Sequence, residues 1–212
     1  MIPASPVLVK IGGSLVSLPD LAVRINSLLQ LFNGRKVLFI IGGGAAADEI
    51  RRLDECCDLA QGRAHWDAID AMTFNSILLS RVLGFVPVVR SRDEAVTAWK
   101  SQSAVILNSR AFLREDHGNV SRRSPESWDV TSDSIAVTVA LDWPCEEVLF
   151  CKACPPVSLQ LADICNAGQL DAYMPKLLPA LAEANVQVNW LDLSADEYAI
   201  QSLQCERETS VQ

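Results

Sequence analysis

The chain has 212 residues, half of them apolar, and its 26 acidic side chains outnumber 18 basic ones to give a net charge of −8. That balance, with no basic run longer than Arg122-Arg123, removes the electrostatic footprint of a nucleic-acid binder. No apolar run approaches the roughly 20 residues that span a bilayer, and MIPASPVLVK puts no basic region ahead of an apolar one, so a soluble, cytoplasmic protein without membrane partners is expected.

A chain of this size buries roughly 70% of its unfolded surface, which suffices for a single domain over residues 1–212. The mean hydropathy of +0.19 is high for a soluble protein. A buried sheet or a subunit interface would absorb that excess, and a homo-oligomer is expected. The seven cysteines are odd in number, so reduced thiols are the default. Cys151-x-x-Cys154 with Cys165 offers three sulfurs, but no histidine lies nearby and no second CxxC exists, so no metal site is assigned.

Val7 to Ile11 is a nearly all-apolar run, as in a parallel strand covered on both faces, with Lys10 as the exception inside it. Leu21, Ile25, Leu28, Leu29 and Phe32 mark one face of a helix from Leu21 to Phe32, which Asn33-Gly34 stops. Lys36 to Ile41 reads as a second buried strand, and Ala45 to about Ala60 as a helix opening on the glycines that follow it. His65 to Leu83 is again helical. Val86 to Val89 and Ala104 to Leu107 are short strands flanking a helix from Asp93 to Lys100, and the polar stretch from Arg114 to Trp128 reads as a surface loop.

Thr131 or Ser132 is positioned to cap a helix over Asp129 to Leu141. Glu147 to Lys152 is a further buried strand, ended by Pro155-Pro156. Leu170 to Ala184 reads as one long helix and Val186 to Leu193 as a last strand with alternating apolar positions. The alternation of strand and helix predicts an α/β fold, a three-layer αβα sandwich with a mainly parallel central sheet.

Two strands in this series run straight into glycines: VLVKIGGS, and VLFIIGGG ending at Gly42, Gly43 and Gly44. Glycines let backbone N–H groups approach an anion, and a following helix N-terminus adds positive potential, so the pair points to phosphate chemistry. The P-loop pattern G-x-x-x-x-G-K-S/T occurs nowhere. Gly42-x-Gly44-x-x-Ala47 meets the relaxed dinucleotide fingerprint, but the sequence continues as helix through His65 to Leu83 where that fold needs a second strand ending in an acidic residue.

VKIGGS, IIGGG followed by Ala-Asp-x-x-Arg, and VTSDSIA resemble, in order and separation, three motifs of the amino-acid kinase superfamily. AHWDAIDAM and WDVTSDSIA are most similar to its branch that phosphorylates aminomethyl-furanmethyl phosphate in the synthesis of methanofuran-type one-carbon carriers. The resemblance runs from Val7 to about Leu178. It implies a carbamate kinase-like sandwich that uses ATP and Mg²⁺ to phosphorylate a small-molecule acceptor, with a phosphate monoester favoured. It further implies that Lys10 contacts the phosphoryl group in flight, that Asp133 orients the catalytic lysines by charge pairing, and that Lys152 is the second lysine. Gly12, Gly13, Ser14, Thr131, Ser132 and Lys176 would face the nucleotide, with Asp171 and Tyr173 close by. Gly42, Gly43, Gly44, His65 and Trp66 would hold the acceptor.

One departure stands out. The superfamily follows the strand of Lys152 with an Asp-Gly-Val-Tyr-like turn beside the adenine, whereas this chain has Ala153-Cys154-Pro155-Pro156-Val157. A uridylate or amino-acid kinase, and a catalytically inactive nucleotide- or anion-binding protein of the same fold, are the competing readings.

Overall fold

The protein is represented by a computed structural model that describes residues 5–57, 59, 62–114, 124–197 and 199–205. Seven strands form one sheet: β1 (Val7–Ile11), β2 (Val37–Ile41), β3 (Val88–Val89), β4 (Ala104–Leu107), β5 (Glu147–Lys152), β6 (Gln187–Asp192) and β7 (Gln201–Leu203). Their order is β3-β4-β2-β1-β5-β6-β7, parallel throughout except for the antiparallel edge strand β7. The helices are α1 (Leu21–Leu31), α2 (Gly44–Cys57), α3 (Arg63–Val82), α4 (Arg92–Ala98), α5 (Ser109–Arg114), α6 (Ser132–Asp142), α7 (Leu161–Asn166) and α8 (Leu178–Glu183). This is the expected sandwich.

Every residue of β1 and β2 is buried, because both sheet faces are covered. Successive side chains point to opposite faces. Val7, Val9 and Ile11 therefore join Ile25 and Leu28 of α1 in one core, while Leu8, Leu38, Ile40 and Phe150 join Ile69 of α3, Ala136 and Val139 of α6 and Leu181 of α8 in the other. Lys10 belongs by that alternation to the α6 face. In β5 the same face carries Val148 and Phe150 and ends at Lys152. Since Lys10 pairs in register with Phe150, the two lysines lie on one face of neighbouring strands, two residues apart in register.

The helix α6 is buried from Ser132 to Ala140, as expected of one apolar all round. Its start differs from the expected Asp129. Thr131 is extended and is the N-cap, yet its side chain does not cap the helix. The carboxylate of Asp171 does so from a distant segment: Oδ2 accepts the N–H of Thr131 at 2.8 Å, the N–H of Ser134 at 2.9 Å and the Thr131 hydroxyl at 2.9 Å. The Ser134 hydroxyl donates to Oδ1, which also accepts the N–H of Tyr173 and Met174.

Those last two bonds help explain a second difference. The long helix expected over Leu170 to Ala184 is split into a 3-10 turn at Met174–Lys176 and α8, because Pro175 and Pro179 lack the N–H that a continuous helix needs. The alternation expected in the last strand is also absent: Val188 to Leu191 are all buried, the mark of a strand covered on both sides. Three short elements were not expected: α5, α7 and β7. Arg114 closes α5 rather than opening a loop, and residues 115–123 of that expected loop, with His117, lie outside the described residues.

Asp171→Ala leaves the N-terminus of α6 uncapped and several buried donors unpaired. We expect urea unfolding to show a loss of about 2 kcal/mol or more, with Asp171→Asn retaining part of it.

Candidate active site

The carboxyl ends of β1, β2 and β5 meet the N-terminus of α6 at a cavity of about 290 Å³. On its floor, Asp133 lies between two lysines. Lys10 Nζ is 2.7 Å from Oδ1 and Lys152 Nζ is 2.7 Å from Oδ2. The Lys152 contact is an aligned hydrogen bond, whereas the Lys10 contact is an ion pair that falls short of hydrogen-bond geometry. Lys10 is 3% exposed and Asp133 4%, so both charges sit where water scarcely reaches.

Burial pushes the Lys10 ammonium down to about 8, against the opposing pull of Asp133 and with help from the Lys152 charge. For Asp133, burial alone would raise the carboxyl, but Lys10 and Lys152 together hold it below the ordinary carboxylate range. Two ammonium groups thus face one carboxylate. One positive charge is left over at the cavity floor, which suits an anionic ligand.

The two glycine turns stand against each other. Gly42 N–H donates to the Ile11 carbonyl at 2.9 Å, and Gly12 N–H to the Cys151 carbonyl at 2.8 Å. A Cβ on Gly42 would fall 2.6 Å from the Gly13 nitrogen, and one on Gly13 would overlap the nitrogen of Gly44. Gly44 also has a positive φ of 53° at the start of α2. Gly13, Gly42 and Gly44 are therefore glycine because the two turns meet, with no room for a side chain between them. Asn75 of α3 is buried beneath the second turn and donates Nδ2 to the carbonyls of Gly42 at 2.8 Å and Gly43 at 2.9 Å.

Of the residues singled out in the sequence, Lys10, Gly13, Ser14, Gly43, Gly44, His65, Thr131, Ser132, Asp133 and Lys152 line the cavity. Gly12 and Gly42 are buried and are not among the lining residues. Trp66 does not reach it: its ring faces Arg110 and Arg114, with centroid distances of 5.8 and 5.2 Å. Lys176 is exposed beside Tyr173, 5.2 Å from that ring's centroid, and is not among the lining residues.

His65 Nδ1 lies 3.1 Å from the Ser127 carbonyl. A carbonyl only accepts, so Nδ1 carries the proton and Nε2 is the ring's acceptor. Burial lowers the imidazole from its ordinary value and so favours the neutral ring, partly opposed by the Ser127 bond and by Glu126. His65 accordingly suits a ligand that donates a hydrogen bond.

The sequence reading assigned no role to three further lining residues, Asp48, Arg51 and Trp128. Arg51 stacks on the Trp128 ring at 4.7 Å, and Trp128 Nε1 donates to Asp54 at 2.7 Å. All three stood in quoted motifs: Asp48 and Arg51 in the Ala-Asp-x-x-Arg that follows the second glycine cluster, and Trp128 at the head of WDVTSDSIA. The segment after Lys152 does not line the cavity, but hydrogen bonds hold it beside Lys152. Trp190 Nε1 donates to the Cys154 carbonyl and Gln169 Nε2 to the Pro155 carbonyl, both at 2.9 Å, while Lys152 Nζ donates to the Gln169 carbonyl at 3.0 Å. Cys151 is fully buried, and its thiol is pushed well up by burial. Among the described residues no group of three or more metal-ligating side chains is assembled.

No protein-family model matches the chain. In sequence it is 28% identical over 138 residues to the 5-(aminomethyl)furan-3-yl-methyl phosphate kinase of Methanocaldococcus jannaschii, an alignment spanning 62% of this chain and 58% of that relative. In fold it is similar to the UMP kinase of Bacillus anthracis, with a TM-score of 0.63 at 18% identity over 92% of this chain and 89% of that one. The uridylate kinase of Archaeoglobus fulgidus gives 0.59 at 17% over 86% and 88%. The aspartate kinase of Synechocystis gives 0.64 at 13% over 96% of this chain and 41% of that one. The fold is that of the amino-acid kinase superfamily, and the sequence similarity falls in the same superfamily.

Asp133→Asn leaves the buried Lys10 and the partly buried Lys152 ammonium groups without their counter-charge. A loss of about 3–5 kcal/mol in urea unfolding at pH 7 is expected. Asp133 is held low in the folded state, so its contribution is present above the unfolded carboxyl value of 3.8 and is lost as pH falls through the lower folded one.

Proposed function

We propose, from the amino-acid kinase fold and the charge at its cavity floor, that this chain is a kinase transferring the terminal phosphoryl group of ATP to a small phosphate monoester, forming a diphosphate. The observation that carries the reading is the pairing of Lys10 and Lys152 on one buried carboxylate, beside two glycine turns whose main chains pack against each other. Phosphoryl transfer asks little covalent chemistry of a protein. Positioning and electrostatic stabilisation supply most of it.

In this scheme Lys10 follows the phosphoryl oxygens as charge gathers between donor and acceptor, which a compact ammonium on a flexible stem can do. Asp133 holds both lysines and takes no proton. Gly12, Gly13 and Ser14 approach the donor phosphates, with Thr131 and Ser132 opposite them. Gly42, Gly43 and Gly44 receive the acceptor, with His65 Nε2 accepting from a donor group on it. Mg²⁺ would neutralise charge on the donor phosphates with ligands drawn mainly from the nucleotide and water, since the described residues assemble no carboxylate cage.

The favoured acceptor is aminomethyl-furanmethyl phosphate. The sequence similarity to the M. jannaschii kinase supports it, and so does His65, because that substrate carries an amine to donate to a neutral imidazole. Uridylate or an amino acid is the alternative within the superfamily. Homo-oligomer formation is part of the reading: Phe74, Ile77 and Val82 of α3 and Phe85 beyond it expose apolar side chains.

Turnover with ATP, Mg²⁺ and a panel of the furan phosphate, uridylate, aspartate and glutamate tests the proposal. ATP binding with no transfer to any member would leave a nucleotide-binding protein without catalysis. Lys10→Ala should retain the fold and lower kcat by about a hundred- to a thousandfold; a near-normal kcat would sink the assignment. The pH profile gives an independent check. Lys10 must be charged to act and titrates near 8 in the free protein, so kcat/KM should fall about tenfold per unit above pH 8. Bound phosphates stabilise the ammonium, so the inflection in kcat should lie at higher pH.

A further inference from the structure

A second cleft, of about 370 Å³, lies against the other side of α3 and is lined by Arg90, Asn108, Arg110, Ala111 and Arg114. The helix separates it from the candidate active site. His65, Ile69 and Met72 line the first cavity, whereas Trp66, Asp70 and Thr73 contact the residues of the second.

Every polar side chain lining this cleft offers donors. Asn108 Oδ1 accepts the Ala111 N–H at 3.0 Å and the Thr73 hydroxyl at 3.3 Å, which fixes the amide's orientation and leaves its NH₂ as the group for a ligand. Arg110 forms an ion pair with Asp70, and Arg110 and Arg114 share the face of Trp66. Glu94 accepts the backbone N–H of Arg90 at 2.7 Å and does not line the cleft. Three guanidinium groups thus gather around one space in a chain of net charge −8, and among the described residues Asp70 is the carboxylate that pairs with one of them.

We propose that this cleft is a binding site for a small phosphate-bearing anion, distinct from the candidate active site. The ligand must be an acceptor of hydrogen bonds from several directions, and it must compensate clustered positive charge. A phosphate group meets both demands, because its oxygens accept the paired N–H groups of a guanidinium fork side by side. The inference does not depend on the kinase reading.

The test is calorimetric titration of inorganic pyrophosphate, at constant ionic strength, into the wild-type protein, Lys10→Ala and the double variant Arg90→Ala/Arg114→Ala. Both arginines are exposed, so the double variant should melt near the wild-type temperature; Arg90→Gln/Arg114→Gln serves in its place if it does not. A site that persists in Lys10→Ala and weakens at least tenfold in the arginine variant is expected. Wild-type protein that binds no pyrophosphate, an isotherm unchanged in the arginine variants, or binding wholly lost with Lys10→Ala would overturn the proposal.

Discussion

The structure turns on one buried carboxylate held between a buried ammonium group and a partly buried one. Asp133 reaches both lysines only because β1 and β5 are parallel neighbours, because the pleat puts Lys10 and Lys152 on the same face, and because α6 begins above that face. The start of α6 is set in turn by Asp171, which gathers the donors of Thr131 and Ser134. Removing water from three charges is costly, and such arrays return little net stability compared with well-packed apolar groups. What this one provides is a fixed excess of positive charge where two strands end.

That excess is useful because the backbone around it is bare. The two glycine turns touch through their main chains, so the surface between β1 and β2 consists of peptide groups rather than side chains. Asn75 occupies the carbonyls of Gly42 and Gly43 from below. With those acceptors engaged, the upper side of the turn presents less negative potential to a phosphate.

Much of this was legible in the sequence, for identifiable reasons. β1, β2 and β5 are short apolar runs bounded by glycine or proline, and a buried parallel strand leaves that mark. Lys10 was conspicuous as a charge inside such a run. Long-range partnerships were not legible. Nothing near Asp171 announces that its carboxylate caps a helix 40 residues away, and nothing near Gly13 shows that its neighbour is Gly44. Short elements were missed where periodicity has too few residues to register, as in α5, α7 and β7. The long helix expected after Leu170 failed because its apolar spacing outweighed two prolines that forbid a continuous ladder.

The stretch after Lys152 shows how a departure from a familiar pattern acquires meaning from its surroundings. By sequence, Ala153-Cys154-Pro155-Pro156 reads as damage to the nucleotide end of the site. In the structure, the carbonyls of Cys154 and Pro155 accept bonds from Trp190 and Gln169, and the Gln169 main-chain carbonyl accepts one from Lys152. The Trp190 ring, 5.7 Å from the ammonium, completes the surroundings. The prolines lack N–H groups and restrict the chain, which reduces the conformations from which this arrangement must be selected. The altered segment thus aims Lys152 at Asp133. This departure from the familiar pattern leaves the charge pairing of Lys10, Asp133 and Lys152 in place.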